Sequence, residues 1–253
     1  MFVYGGNSND TITDYTAGQD KVYLTDGVKF KSATYDGKNL IFTTSNDKTL
    51  TLQNTINKKN VKQKVTIVDN GITTSQVYGE SSITIANADC TTINATISIN
   101  SDLTSIDASK RSKAIYIVGN NNNSTIKGSK SNDTVIAGSG ANIIDSGKGN
   151  DSIKLAQNHQ KSTIFYTGGN DTVTNFDLSD TIRLKSGIIA TASKVSNTEY
   201  VLTLKKGKTK IGTLDVSGNS AFSVDSDSNV NMVVFLLKSQ QLQLLLKLHT
   251  LSN

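Results

Sequence analysis

The sequence predicts an all-β protein whose centre is a β-solenoid, a stack of very short strands, flanked by β-hairpin segments. Three observations support this prediction: a nine-residue repeat in the middle of the chain, a low apolar content, and turns built without proline. Hydrophobic residues make up 36% of the 253 residues and aromatic residues 6%, while proline is absent. Glycine, asparagine and aspartate must therefore form the joints between elements, which favours a continuous ladder of strands and turns.

The nine-residue repeat is unbroken over residues 119–154, which divide into GNNNNSTIK, GSKSNDTVI, AGSGANIID and SGKGNDSIK. After two inserted residues, Leu155 and Ala156, the period resumes in QNHQKSTIF, YTGGNDTVT and NFDLSDTIR, up to Arg183. One apolar residue in nine, at the eighth position, does not fit an amphipathic helix and fits a very short strand followed by a turn. Such units bury little surface alone and must stack on one another. The eighth positions are Ile126, Val135, Ile144, Ile153, Ile164, Val173 and Ile182.

The same signal occurs near the N-terminus, as GGNSNDTIT at residues 5–13 and YTAGQDKVY at residues 15–23. Both repeat blocks lead into alternating strands, LIFTT with TLTL after the first and YVLTL with KIGTL after the second, which predicts a duplicated unit of repeats plus β-hairpin. The predicted segments are the end of a first repeat block (1–24), a β-hairpin segment (25–78), a solenoid-like segment of short strands (79–118), the regular repeats (119–183), a second β-hairpin segment (184–230) and an atypical tail (231–253).

The tail, residues 231–253, is rich in Leu and Gln and differs from everything before it. Polar residues at 238–241 interrupt it too soon for a bilayer span. Two interpretations stay open at this stage: an amphipathic C-terminal helix, or an out-of-frame reading of the gene.

Several functional classes are disfavoured by the sequence. The net charge of +5 is spread among predicted strands with few aromatic residues between them, which argues against nucleic-acid binding. The single cysteine, Cys90, excludes an intrachain disulfide. The chain has no HExxH, GxSxG or phosphate-binding glycine-rich motif, and His159 is expected to be a surface histidine. We therefore predict no catalytic site and no enzymatic activity.

The units at residues 128–136 and 146–154 follow the pattern GGxGxDxUx, in which U is a large apolar residue, with some glycines replaced. In this they resemble the RTX, or haemolysin-type, calcium-binding repeats of secreted bacterial proteins. The resemblance implies a parallel β-roll, Ca²⁺ as the bound ion, folding coupled to Ca²⁺, and a location outside the cell or at its surface. Because the first residues, MFVYGGNSND, contain no basic or apolar signal region, type I-like export without a cleavable leader is expected.

The resemblance also implies a place for the ion. If two nonapeptides make one coil, residues eighteen apart stack, and Asp133 and Asp151 are eighteen apart. Ca²⁺ takes six to eight oxygen ligands, which glycine-rich turns with one Asp each can supply. Asp171 continues the same edge beyond the insertion, whereas Ser124 and Asn142 make the opposite edge poor in ligands. The remaining candidates on the first edge are the turn residues Gly128, Ser129, Ser131, Gly147 and Gly149. Weaker candidates are Asp10, Asp20, Asn142, Gly169 and Asp180.

The function expected from the sequence is a calcium-binding structural module of a secreted or cell-surface bacterial protein. Its expected partners are calcium and further repeats or domains of a longer protein, with no nucleic acid and no transmembrane span. Two alternatives remain: an accessory module of a larger secreted hydrolase or toxin, and an adhesin that contacts glycans or anionic surfaces.

Overall fold

A computed structural model describes residues 1–58, 61–87, 92–95, 103–218, 223–226 and 232–236. Every regular element in these ranges is a β-strand, and the strands form four sheets. The predicted all-β solenoid is therefore confirmed. None of the described residues belongs to a helix that is long and apolar enough to cross a membrane.

The N-terminal unit contains two four-stranded sheets, with the strand orders β1-β3-β7-β8 and β2-β6-β5-β4. Its strands are β1 Phe2–Tyr4, β2 Asp10–Ile12, β3 Val22–Leu24, β4 Phe30–Tyr35, β5 Leu40–Thr44, β6 Thr49–Leu52, β7 Val65–Asp69 and β8 Ile72–Gln76. Strands β5 and β6 form the hairpin predicted from LIFTT and TLTL. Asp47 adopts φ 62° in the turn between them, a conformation that suits Asp and Asn.

The roll consists of strands that alternate between two parallel sheets, so that each coil contributes one strand to each sheet. The first sheet contains β9 Ser82–Thr84, β11 Ser105–Asp107, β13 Thr125–Lys127, β15 Ile143–Asp145, β17 Thr163–Tyr166 and β19 Thr181–Leu184. The second sheet contains β10 Thr92–Asn94, β12 Tyr116–Val118, β14 Thr134–Ile136, β16 Ser152–Lys154 and β18 Gly169–Phe176. The parallel stacking therefore starts at β9, upstream of the first recognisable nonapeptide.

A three-stranded antiparallel meander extends the second sheet, since β22 pairs with β18 in parallel. Its strands are β20 Ile188–Lys194, β21 Glu199–Lys206 and β22 Thr209–Gly218. Two further strands, β23 Ser223–Ser226 and β24 Met232–Leu236, extend the first sheet, and β24 pairs with β19 in the antiparallel sense.

Of the two interpretations left open for the tail, the amphipathic helix is wrong for the first residues, because β24 is a strand. The segment MVVFL contains two β-branched residues and one aromatic residue, and β19 offers it an open sheet edge whose backbone groups need partners. Residues 237–253, the rest of the predicted helix, lie outside the described residues.

The core of the roll is a column of eighth-position side chains. All seven predicted positions are at most 1% exposed, and aligned pairs such as Ile126 with Ile144 face each other across parallel ladders. Full burial of a Val or Ile side chain contributes about 1.5–3 kcal/mol. One apolar residue per nonapeptide is therefore enough only because every coil adds to the same column.

The internal duplication inferred from the sequence is visible in the topology. The order β2-β6-β5-β4 in the N-terminal unit repeats as β18-β22-β21-β20 after the roll, with the same parallel and antiparallel pairings. Asn9 Oδ1 accepts a hydrogen bond from Thr49 N, and the corresponding Asn170 Oδ1 accepts one from Thr213 N. The two units thus share their local hydrogen bonding as well as their strand order.

Candidate metal centre

The turns that connect the two sheets of the roll form two rows, one on each side. The acidic edge consists of the turns at residues 128–133 and 146–151 and of residues 167–171, where a short turn leads into β18. Its sixth positions are Asp133, Asp151 and Asp171. The opposite edge consists of the turns at residues 119–124, 137–142, 155–162 and 177–180, and its sixth positions are Ser124, Asn142, Ser162 and Asp180.

A ladder of hydrogen bonds stacks the three aspartates of the acidic edge. Asp133 Oδ1 accepts from Ile115 N at 2.8 Å, Asp151 Oδ1 from Asp133 N at 2.8 Å, and Asp171 Oδ1 from Asp151 N at 3.0 Å. Each carboxylate therefore uses one oxygen to hold the preceding coil. The ladder runs past the insertion without a break, because Leu155 and Ala156 follow β16 on the other side of the roll. The structure thus brings Asp171 into line with Asp133 and Asp151.

The second carboxylate oxygens differ along this ladder. Both oxygens of Asp133 bind Ser129: Oδ1 accepts from the Ser129 hydroxyl at 2.7 Å, and Oδ2 accepts from Ser129 N. By contrast, Asp151 Oδ2 is buried and finds no hydrogen-bond partner among the described residues. A buried carboxylate oxygen without a partner is costly. The place where an additional ligand would contribute most is therefore at Asp151.

Burial disfavours the charged forms of two of these acids. Asp133, Asp151 and Asp171 are only 2%, 2% and 3% exposed. Burial raises the pKa of Asp151 to about 6, and the negative charges of Asp133 and Asp145 add to the rise. Burial raises the pKa of Asp171 to about 7, with the charge of Asp151 adding to it. At neutral pH a cation beside these carboxylates would therefore stabilise their charged forms.

Glycines bring the backbone oxygens of successive turns close together. Gly147 and Gly149 have φ of 98° and 122°, and a Cβ on them would overlap the carbonyl groups of Ser129 and Ser131 in the preceding turn. In the same way a Cβ on Gly169 would overlap the carbonyl oxygen of Gly149. Other side chains would disrupt this stacking, which gives the edge a cradle of carbonyl oxygens beside the aspartates.

The remaining predicted residues of this edge have mixed roles. A Cβ on Gly128 would overlap the carbonyl oxygen of Ser146, so Gly128 belongs to the same cradle. Ser129 and Ser131, which replace glycines, bring hydroxyl groups that bond within the protein: Ser129 to Asp133, and Ser131 Oγ to the Ser112 carbonyl at 2.8 Å. The donor set fits Ca²⁺, because it consists of carboxylate and carbonyl oxygens. The residues that would hold the ion are Asp151, Asp171 and Asp133, with carbonyls of the three turns.

On the opposite edge, the side chain of Asn142 makes hydrogen bonds to the backbone of its own turn. Its Nδ2 donates to the carbonyls of Gly138 at 3.0 Å and Gly140 at 2.8 Å, and its Oδ1 accepts from Ser124 N at 3.2 Å. The amide group therefore supplies the donors that turn carbonyls otherwise seek from a cation. This explains in physical terms why an edge with Asn at the sixth position needs no ion.

Replacing Asn142 with Asp is expected to create calcium dependence on this edge. The carboxylate would face the carbonyls of Gly138 and Gly140, so we expect the calcium-free variant to lose about 1–3 kcal/mol of stability. Millimolar Ca²⁺ should restore most of this loss, as measured by thermal unfolding with and without the ion. Asn123→Asp adds the same charge to an exposed position on the same edge and is expected to change little. Equal behaviour of the two variants would contradict the role assigned to the Asn142 amide.

The weaker candidates in the N-terminal unit lie apart from the acidic edge. Asp10 is exposed and accepts a hydrogen bond from the Ser8 hydroxyl at 2.8 Å. Asp20 accepts from Thr16 N at 2.9 Å and from the terminal amine of Met1 at 3.3 Å. These contacts describe turn acids that are bonded locally. The structure does not bring either of them together with the three stacked aspartates.

The last weak candidate, Asp180, lies on the opposite edge beside a histidine. The prediction that His159 is a surface residue is wrong, because its side chain is 1% exposed and Nε2 lies 2.8 Å from Asp180 Oδ2. Burial lowers the pKa of His159, but hydrogen bonds and negative charge from Asp180 outweigh it, and the net pKa is raised. Sequence reasoning missed this pair, because the two residues are 21 positions apart and His159 lies in the unit that follows the insertion.

A second residue that the sequence did not single out is Arg111, which is 0% exposed. Its guanidinium donates to the carbonyls of Lys113 at 2.8 Å, Ala86 at 2.8 Å and Ala114 at 3.2 Å. Ala86 follows β9 and the other two precede β12, so the guanidinium joins consecutive turns of the side that carries the acidic edge. Arg111 thus acts as a built-in cation in the coils that precede Asp133.

Comparisons with known proteins agree with this geometry. The family model of the RTX calcium-binding nonapeptide repeat matches residues 118–153 in four copies. These are the residues from β12 to β16, which include the turns of Asp133 and Asp151. No curated protein matches the chain.

Among solved structures, the chain is similar to the extracellular lipase LipA from Serratia marcescens. The identity is 13% and the TM-score 0.31, and the match covers 84% of this chain and 32% of the lipase chain. The chain therefore corresponds to about a third of the length of that protein.

Proposed function

We propose, from the RTX calcium-binding nonapeptide repeats that residues 118–153 form, that this chain is a structural module of a secreted or cell-surface bacterial protein and that its folding is coupled to Ca²⁺. The observation that supports this most strongly is the buried stack of Asp133, Asp151 and Asp171, with Asp151 Oδ2 lacking a hydrogen-bond partner among the described residues. Calcium supplies positive charge and coordination bonds at this edge when it is bound.

The coupling follows from the repulsion within the stack. Adjacent strands of a sheet are about 4.8 Å apart, and two carboxylates at that separation repel each other by about 3 kcal/mol at an effective dielectric constant near 20. Without a cation the aspartates must either take up protons or move apart. Because the ligands come together only when the coils stack, the free energy of calcium binding becomes free energy of folding.

The proposed role is structural rather than catalytic. The aspartates of the acidic edge each hold the backbone of the preceding coil, which is a role in assembly. The Ser129 hydroxyl and backbone already bind Asp133, so we expect few sites with modest affinity, with Kd on the order of 10⁻⁴ to 10⁻³ M, as in extracellular calcium modules. Such sites would stay empty at the low calcium concentration inside a cell and fill outside it, so that folding would follow export.

Circular dichroism during a calcium titration tests the coupling. We expect the β-sheet signal and the unfolding temperature to rise as Ca²⁺ increases to about 10 mM, and a tenfold excess over Kd stabilises by about 1.4 kcal/mol per site. Magnesium at the same concentration is the control, because its small octahedral shell fits carbonyl-rich turns poorly. An equal response to both ions, or no response to either, would contradict the proposal.

The calcium-free protein is expected to be more stable at pH 5 than at pH 7.5. The pKa values of Asp151 and Asp171 are raised to about 6 and about 7, so the folded chain binds more protons than the unfolded chain, in which these groups titrate near pH 4. Stability is therefore lost as the pH rises from about 4 to 7, by an amount on the order of several kcal/mol. Urea unfolding at both pH values, in the presence of a calcium chelator, measures this loss of stability.

The raised pKa of His159 also makes the folded chain less stable as the pH rises. The two pH values should therefore be compared in a His159→Gln variant. In that background Asp151→Asn should reduce the pH dependence, and the part that remains comes from the raised pKa values of Asp171 and Asp180. A stability that increases between pH 5 and 7.5 without calcium would contradict the account of the acidic edge.

A further inference from the structure

At the end of the opposite edge, three side chains converge in a way that the calcium repeats do not explain. They are His159, in the long turn between β16 and β17, and Asp177 and Asp180, in the turn between β18 and β19. One ligand atom from each lies within 4.8 Å of the others, the only such group found among the described residues. His159 Nε2 is 2.8 Å from Asp180 Oδ2 and 3.6 Å from Asp177 Oδ2.

The backbone determines which nitrogen of His159 faces the carboxylates. Nδ1 lies 2.6 Å from the carbonyl oxygen of Ala156, which can only accept a hydrogen bond. Nδ1 therefore carries a hydrogen, and Nε2 points its remaining position at the two aspartates. A metal-binding histidine has this arrangement, because donation from the second nitrogen to a carbonyl fixes the ring and makes Nε2 a better ligand.

Both carboxylates also accept hydrogen bonds from backbone amides. Asp180 Oδ1 accepts from Ser162 N at 2.8 Å, and Asp180 Oδ2 accepts from Asp177 N at 2.9 Å. Asp177 Oδ1 accepts from Ser179 N at 2.7 Å and from the Ser179 hydroxyl at 2.6 Å, which leaves Oδ2 directed at His159. Each of the three ligands thus has its own supporting hydrogen bond, an outer shell typical of metal centres.

We propose that His159, Asp177 and Asp180 form a second metal site, one that binds Zn²⁺ or a similar divalent transition metal. One imidazole nitrogen and two carboxylate oxygens suit Zn²⁺, Co²⁺ or Ni²⁺, whereas Ca²⁺ and Mg²⁺ prefer oxygen alone. Bonds of about 2.0–2.1 Å in a tetrahedral arrangement place neighbouring ligand atoms roughly 3.3 Å apart. The observed separations from Nε2, 2.8 and 3.6 Å, bracket that value.

Burial indicates how the ion reaches the site and what it does there. The side chains of His159 and Asp180 are 1% and 0% exposed, whereas that of Asp177 is 42% exposed. The ion would enter at Asp177 and keep water as its fourth ligand. It would join the turn after β16 to the turn before β19, and so hold the last coils of the roll together without help from calcium.

A zinc titration of the whole chain tests this proposal, with a chromophoric chelator as competitor and 5 mM Ca²⁺ present throughout. We expect one Zn²⁺ per chain, and a visible absorption band of tetrahedral character when Co²⁺ takes its place. His159→Gln should abolish binding, and Asp177→Asn should weaken it at least tenfold. Because Asp177 is partly exposed, the metal-free Asp177→Asn variant should unfold at nearly the wild-type temperature. His249→Gln removes the other histidine of the chain and is the matched control, for which no change is expected.

Two results would overturn the proposal: no zinc binding by the wild-type chain, or wild-type affinity in Asp177→Asn or in His159→Gln. In each of these cases the cluster would be an internal histidine–aspartate hydrogen bond only. The calcium titration is read separately, so failure of the zinc site and failure of the proposed calcium module can be told apart.

Discussion

Asp151→Asn is expected to abolish most of the calcium response of the protein and to make the calcium-free roll more stable than the wild type. The new side chain keeps an oxygen to accept the hydrogen bond from Asp133 N, so the ladder remains intact. Its amide nitrogen can donate to the carbonyls of Gly147 and Gly149, which are four and two residues earlier. Asn142 does the same with Gly138 and Gly140.

Two contributions set the size of this effect. Removing an acid whose pKa is raised to about 6 eliminates a cost on the order of 2–3 kcal/mol at pH 7.5. Removing the calcium ligand eliminates the stabilisation by 10 mM Ca²⁺, about 1.4–2.7 kcal/mol per site for Kd between 10⁻³ and 10⁻⁴ M. Calcium should therefore raise the free energy of unfolding of the wild type. The variant should have the higher free energy of unfolding without calcium, and calcium should raise it little.

The measurement is urea unfolding of both proteins at pH 7.5, with and without 10 mM Ca²⁺. Asp14→Asn is the matched control, because it removes one exposed acid of the N-terminal unit and leaves the roll unchanged. A variant that keeps the wild-type gain from calcium would contradict the assignment of Asp151 as the main ligand.

Arg111→Met is expected to destabilise the roll by about 3–5 kcal/mol, whether or not calcium is present. The substitution keeps much of the apolar side chain but removes the donors to the carbonyls of Ala86, Lys113 and Ala114. A buried acceptor that loses its partner costs about 1–3 kcal/mol. Since the guanidinium joins consecutive turns, we expect the first coils of the roll to lose their stacking, and millimolar calcium should not restore it.

Thermal unfolding and hydrogen exchange measure this loss, and Arg183→Met is the matched control. Arg183 is the other arginine of the chain and is exposed on β19, so its replacement should change stability by less than about 0.5 kcal/mol. The stability of Arg111→Lys should lie between those of Arg111→Met and Arg183→Met, because an ammonium group cannot reproduce the planar set of donors of a guanidinium group. If Arg111→Met unfolded at the wild-type temperature, its role as a built-in cation would be wrong.

The regular part of the fold could be predicted because it depends on a local rule. A nonapeptide has one inward position, and the structure places residues such as Val135 and Ile153 in the core column as the period requires. The all-β class follows from the same spacing, the hairpins after each repeat block follow from the alternation of apolar residues, and the parallel stacking was implied by the resemblance to the RTX repeats. The acidic stack could also be anticipated in part, since Asp133 and Asp151 are one coil apart.

The rest depends on contacts that the period does not encode. The sequence does not show on which edge the inserted residues lie, and that placement decides whether Asp171 stacks on Asp151. Arg111 and His159 bond to groups 25 and 21 positions away, where the nonapeptide register is absent or interrupted. The amphipathic helix considered for the tail does not hold at β24, where the open edge of β19 provides backbone partners for a strand.

Two side chains of the protein itself bind turn carbonyls that a cation could otherwise bind. The amide of Asn142 binds carbonyls on one edge, the guanidinium of Arg111 binds them at the start of the other, and the stack around Asp151 is left in need of a cation. The central claim is therefore that calcium binds along the acidic edge. Equilibrium dialysis of Ca²⁺ against the wild-type chain and Asp151→Asn tests it most directly. We predict one or two ions per wild-type chain and essentially none in the variant, and a variant that retained the wild-type number of ions would contradict the claim.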